Sequence, residues 1–169
     1  VKNDDAGKPE MVVLPIQGYG LWGTIYGFLT LESDMNTIKG ISFYEHKETP
    51  GLGARIEEPK WRAMWTGIHS YDENGDVATG VTKAGNPKDN WVDGISGATL
   101  TSRGVSNMIQ FWLGEQGYKP YLDLLREQNG KTLDSVDAQA SQSIQPDNKS
   151  AQPTTELAAT LPVANGKEA

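Results

Sequence analysis

Hydroxyl side chains crowd the stretch DGISGATLTS, residues 93–102, where Ser96, Thr99, Thr101 and Ser102 fall close together. Such hydroxyls can do two kinds of work. They can cap a helix by accepting backbone N–H bonds. Alternatively, one can be the acceptor oxygen of an ester, with an anionic group held by the unpaired N–H groups of a helix start. The helix is legible just downstream: Val105, Met108, Ile109 and Trp112 are spaced i, i+3, i+4, i+7, which predicts a helix from about Ser102 to Leu113. Gly114 stands where a glycine ends one. The loop from Asp93 to Ala98 is small and polar, and Gly94 and Gly97 permit backbone angles and approaches that a Cβ would block. Thr99 therefore lies near the helix start. A helix dipole contributes only about 0.3–1 kcal/mol at an exposed site, so a ligand here must be held by chemistry. Spacing alone leaves Thr99, Thr101 and Ser102 open between cap and ester acceptor.

The elements that must position this loop come earlier. Residues 1–10 are polar and read as a ragged segment, and strand character begins at Met11. In PIQGYGLWGTIYGFLTL, residues 15–31, Leu21, Gly23, Ile25, Gly27, Leu29 and Leu31 share one face at period two. Trp22, Thr24, Tyr26, Phe28 and Thr30 share the other. The glycine-bearing face leaves room for a packed helix or for a planar cofactor. A polar turn at Glu32–Asn36 leads to a second strand, Thr37–Glu45, in an antiparallel hairpin. Thr49-Pro50-Gly51 and then Leu52-Gly53 form a tight turn. Pro59 opens a short helix through Trp65. Asn74-Gly75 marks a hairpin turn before a strand at Val77–Lys83, and Tyr118–Arg126 forms a closing helical turn or two.

Composition bounds the rest. The 169 residues carry a net charge of −7 without a basic patch, which argues against nucleic-acid binding. Cysteine is absent, excluding disulfides and thiolate chemistry. His46 and His69 lack ligand spacing and read as surface or hydrogen-bonded residues. The longest apolar run is Met11–Leu14, too short to span a membrane. There is no signal peptide and Val1 is no initiator, so the chain reads as a soluble piece of something longer. One domain, 11–128, precedes a tail, 129–169, that lacks aromatic residues and periodicity and is expected to be disordered.

The string from Asp93 to Thr99, D-G-I-S-G-A-T, matches the D-x-x-[ST]-G-A-T acceptor motif of flavin transferase substrates at every specified position. PIQGYGLWGTIYGFL, YEHKETPGLGARIEEPKW, VDGISGATLTSRGV and FWLGEQGYKPYL follow in order over residues 15–122. Together they resemble the C-subunit family of sodium-translocating NADH:quinone oxidoreductases, and more broadly the FMN-binding domain shared with ferredoxin-linked relatives of that complex.

The resemblance implies an α+β fold: a single domain with an antiparallel sheet, a few flanking helices, and an attachment loop preceding a helix. It implies FMN joined to Thr99 by a phosphoester, installed by a Mg-dependent flavin transferase from FAD. Asp93, Ser96, Gly97, Ala98 and Thr99 would be the residues that enzyme recognises. Cofactor contacts would include Trp22, Glu48, Thr49, Gly51, Leu52, Gly53, Lys83, Leu100 and Thr101, with the ring near Trp22, Thr49 and Leu52 and the phosphate end by Ser96, Gly97, Ala98 and Thr99. For Glu48 a solvated loop charge is the competing reading. The domain would relay single electrons among the other subunits of an inner-membrane complex, facing the periplasm and anchored by an N-terminal helix absent from this chain. In isolation it would have no turnover of its own. Two alternatives stand beside this: the equivalent flavin protein of the ferredoxin-linked complex, and a non-redox ligand-binding module using the five tryptophans.

Overall fold

The computed structural model describes residues 1–5 and 7–129. The expectation for the tail falls, from residue 130 onward, outside them. Four antiparallel strands form the sheet in the order β1-β2-β3-β4: β1 Lys2–Asn3, β2 Pro9–Tyr19, β3 Thr24–Glu32 and β4 Ile38–Glu45. Part of the polar segment ahead of Met11 thus joins the sheet, with Lys2 opposite Met11.

The patterned run over residues 15–31 is two strands, not the one its alternation predicts. It folds back at Gly20–Gly23, where Gly20 N–H donates to Gly23 O at 2.8 Å, and β2 then pairs β3 from Tyr19↔Thr24 to Met11↔Glu32. The turn reverses the parity, since the buried positions are Val12, Leu14 and Ile16 before it and Ile25, Leu29 and Leu31 after it. Gly18, Gly20 and Gly23 hide the shift because they carry no side chain to mark a face. From Ile25 onward the reading holds: Ile25, Leu29 and Leu31 are buried. Leu21 and Trp22 instead sit exposed in the turn. The second hairpin, β3 with β4, forms as expected, closed by Glu32 N–H to Thr37 O at 2.9 Å.

Helix α1, Pro59–Ala63, has proline in its first turn and buries Trp61, whose ring meets Trp65 edge-on at 5.8 Å. The region from Val77 to Lys83 departs from prediction. It forms no strand, only the isolated bridges Tyr71↔Val77 and Val81↔Val92, because its partners lie in loops and not in a neighbouring strand. Helix α2, Thr99–Leu113, starts three residues earlier than its apolar spacing predicts. It ends at Gly114, whose φ of −82° is not left-handed. A Cβ there would stand 2.9 Å from Gln110 O, so space and not φ favours glycine.

α2 packs on the sheet through β2. A Cβ on Gly18 would meet Met108 Cβ at 2.6 Å, so that glycine admits the helix. Beyond β1, the open side of β2 is closed by side chains: Tyr118 Oη donates to Pro15 O and Trp112 Nε1 to Gln17 O, both at 2.7 Å. The chain is helical again over 119–129, and Arg126 Nη2 ties this segment to Met35 O at 2.6 Å. No helix among the described residues is long and apolar enough to cross a membrane.

Candidate cofactor site

The loop ahead of α2 is set by short-range bonds. Ala98 N–H reaches Ile95 O at 3.0 Å with Gly97 at φ +80°, and Ser102 N–H reaches Ala98 O at 2.9 Å. That last bond closes the first helical turn on Ala98, the N-cap residue, which supplies no side-chain cap; no acidic residue lies in the first turn. The capping reading of the hydroxyls therefore fails, and each has another place. Thr101 is buried and its hydroxyl donates to the Glu48 carboxylate. Ser102 is buried and accepts Ile95 N–H at 3.0 Å. Thr99, the first helical residue, is exposed, and its hydroxyl is engaged by no hydrogen bond among the described residues.

Asp93 holds the loop to its surroundings. Its carbonyl accepts Trp61 Nε1 at 3.0 Å, and its carboxylate accepts Gly85 N–H at 3.0 Å. Behind it, Thr82 N–H bonds Val92 O at 2.8 Å, and Gly94 fits where a Cβ would overlap Thr82 O. These contacts bring Lys83 to the helix start. Lys83, Thr99, Ser102, Arg103 and Asn107 line one pocket of about 140 Å³. Two cations thus line the same pocket as Thr99 at an uncapped N-terminus, a setting suited to an anion. Arg103 escapes the sequence reading, although its position four residues after Thr99 on one helix face is a signal for it.

The other expected contacts form a second group. Trp22 N–H and Thr101 Oγ1 both meet Glu48, which is 5% exposed, so the solvated-charge reading of Glu48 does not hold. Gly53 is buried against the same carboxylate, and the turn holding it is closed by Leu52 N–H and Ala54 N–H to Thr49 O, both at 3.1 Å. Leu52 touches the loop itself: a Cβ on Gly97 would lie 3.2 Å from Leu52 Cδ2. Gly51, at φ +74°, is exposed beside it. Leu21, Trp22, Leu52 and Leu100 all present apolar side chains to solvent. Ser96 is exposed and opens on a different cleft, with Arg55, Trp61 and Met64.

Sheet, crossing helix and hydroxyl-bearing helix start define an α+β cofactor-binding domain. The family model described as the FMN-binding domain matches residues 20–114, and the chain belongs to that family.

The resemblance seen in the sequence extends to named relatives. The C-subunit of the Na(+)-translocating NADH-quinone reductase of Pseudomonas aeruginosa is 48% identical over 126 residues, covering 72% of this chain and 48% of the relative. Its counterpart in Vibrio parahaemolyticus is 48% identical over 130 residues, covering 75% and 49%. Among solved structures, NqrC of Shewanella oneidensis superposes with a TM-score of 0.67 at 42% identity, covering 73% of this chain and 58% of that one. The corresponding structure from Parabacteroides distasonis gives 0.61 at 38% identity, covering 69% and 58%. The chain spans about half the length of the curated relatives it matches.

Proposed function

We propose that this chain is the FMN-carrying domain of the C-subunit in a sodium-translocating NADH:quinone oxidoreductase, with FMN joined to Thr99 through a phosphoester. The observation that carries the reading is Thr99 itself: an exposed hydroxyl at an uncapped helix start, in one pocket with Lys83 and Arg103. The residues present fit the group. The uncapped N-terminus and the two cations suit a phosphodiester, and the exposed apolar side chains of Trp22, Leu52 and Leu100 are of the kind that suits a flat aromatic ring. When bound, FMN supplies a carrier for single electrons; the domain's own part is to anchor it, wall it and bias its charge states. The names of the relatives favour the sodium-translocating complex over the ferredoxin-linked one.

Attachment needs an outside enzyme. In the proposed step the Thr99 oxygen bonds the flavin-side phosphorus of FAD as the pyrophosphate bond breaks. AMP leaves, and the hydroxyl proton passes to the flavin transferase. No carboxylate or imidazole among the described residues is hydrogen-bonded to Thr99, so the base and the metal come from that enzyme. The other subunits, the periplasmic side and the coupling to sodium belong to the same proposal.

Intact mass tests it. Co-expressed with the transferase, the wild-type chain should gain one FMN less one water, and so should Thr101→Val. Thr99→Val should show only the apo mass with its fold intact. Covalent flavin on the Thr99→Val protein would sink the assignment.

A further inference from the structure

Glu48 bonds to two separate parts of the fold and packs against a third. Its Oε1 accepts Trp22 N–H at 2.9 Å, from the turn between β2 and β3. Its Oε2 accepts the hydroxyl of Thr101, in the first turn of α2. Its own N–H donates to His46 Nδ1 at 3.1 Å, fixing the backbone from which the side chain springs. The side chain is almost wholly buried, and no ion pair to it occurs among the described residues.

Two glycines make room for this carboxylate. A Cβ on Gly20 would stand 2.5 Å from Oε1, and one on Gly53 would stand 2.7 Å from Oε2. The glycines of the G-Y-G and P-G-L-G segments therefore serve a buried carboxylate. Burying a carboxylate is costly unless both oxygens are satisfied, and here both are, by donors from different elements. A carboxylate without a cation does not gain the attraction of an ion pair. What this one gains is fixed geometry between Trp22, Gly53 and the residue two positions past Thr99.

We propose that Glu48 is the positioning residue of the flavin site: it does not touch the cofactor, but clamps the Trp22 turn and the Gly53 turn to the start of α2. The proposal rests on the reading of Thr99 as the attachment point. A ring tethered at one end by an ester is ordered only if the walls beside it are fixed relative to that end. Glu48 supplies this link across 26 residues of chain in one direction and 53 in the other.

Two measurements on Glu48→Ala and Glu48→Gln test it. Gln keeps the bridge, since its carbonyl oxygen can accept Trp22 N–H while its amide donates to the Thr101 oxygen. In the apo-protein, Glu48→Ala should speed hydrogen exchange at the Trp22 amide by about tenfold or more, the loss expected for a bond to a charged acceptor. In the flavinylated protein, its mass should still show FMN, while the visible circular dichroism of the flavin should largely vanish. Glu48→Gln should restore both signals. Thr101→Val, which removes one partner and no charge, should move both signals the same way as Ala if the Ala variant fails to fold. Exchange at Trp22 unchanged in Glu48→Ala overturns the clamp. So does a Gln variant that behaves like Ala, since charge and not geometry would then matter. A wild-type mass lacking FMN would sink the attachment reading instead, and the exchange comparison would still decide the clamp.

Discussion

Gly104 in α2 lies directly against the backbone of Tyr19 at the end of β2: a Cβ at position 104 would overlap the Tyr19 oxygen. This approach sets the height of the helix over the sheet. Because Tyr19 leads into the Gly20–Gly23 turn, it also sets the distance between Trp22 and the helix start. Gly104→Ala must push the two apart, and overpacking of this kind typically costs about 1–3 kcal/mol. A lowered thermal midpoint, with retained secondary structure by circular dichroism, is the expected result. A midpoint equal to that of the wild type would show that the helix can shift without loss.

Only the backbone of Trp22 is held, by Glu48; its indole is 63% exposed. That leaves the ring free to lie against a flavin anchored at Thr99, where a stacked indole quenches flavin emission. In the flavinylated protein, Trp22→Ala should raise flavin fluorescence. If emission stays the same while the fold is intact, Trp22 lies outside the site.

The sequence made some of this architecture visible and hid the rest for identifiable reasons. Ile25, Leu29 and Leu31 could be placed in the core because a strand's side chains alternate whatever its partner. The Gly20–Gly23 turn could not be placed, since the alternation changes phase there at glycines that mark neither face. The start of α2 falls three residues ahead of its apolar stripe because Thr99, Leu100 and Thr101 contribute nothing to that stripe. Thr101 is buried by a hydrogen bond, which apolar spacing does not register. Thr99 stood out through a motif; the bridging role of Glu48 did not, because its partners lie 26 and 53 residues away in sequence. Arg103, by contrast, was legible through its spacing of four from Thr99. Val77–Lys83 has the composition of a strand, but strand formation needs a partner edge, which the sheet does not offer there.

The cations beside Thr99 should be readable in the flavin's potential. A positive charge favours the reduced, more negative form, so removing one lowers the potential. An exposed charge interaction is worth about 0.2–1 kcal/mol, which for a one-electron couple corresponds to roughly 10–40 mV. Arg103→Gln and Lys83→Gln should each shift the midpoint down by that amount at low salt, and by less at high salt as the charges are screened. Spectroelectrochemical titration reads this directly. An upward shift, or none in either variant, would separate these residues from the cofactor.

The alkaline limb of stability should carry the signature of Tyr71. Its ring is buried, its hydroxyl donates to Leu113 O at 2.8 Å, and the Arg126 guanidinium lies 4.5 Å from its centroid. Burial pushes its pKa up to about 12 from 10.0, against the weaker downward pull of Arg126. The folded protein thus keeps the phenol proton through a range in which the unfolded chain loses it. Unfolding releases a proton there, so the contribution is full below pH 10 and falls away as pH rises toward 12. Integrated over that window it amounts to about 2–3 kcal/mol. Tyr118 is raised in the same direction by burial, and Lys119 by its bonds to Glu115 and Asp123, so the wild-type curve alone is not specific. The comparison with Tyr71→Phe isolates the one group. At neutral pH the variant should be less stable by about 1 kcal/mol, the usual net value of one hydrogen bond. From about pH 10 upward the gap should close and then reverse, because the variant's ring has no proton to lose. Denaturant melts between about pH 8 and 12 measure both curves, and parallel losses in the two proteins would show that Tyr71 does not govern this limb.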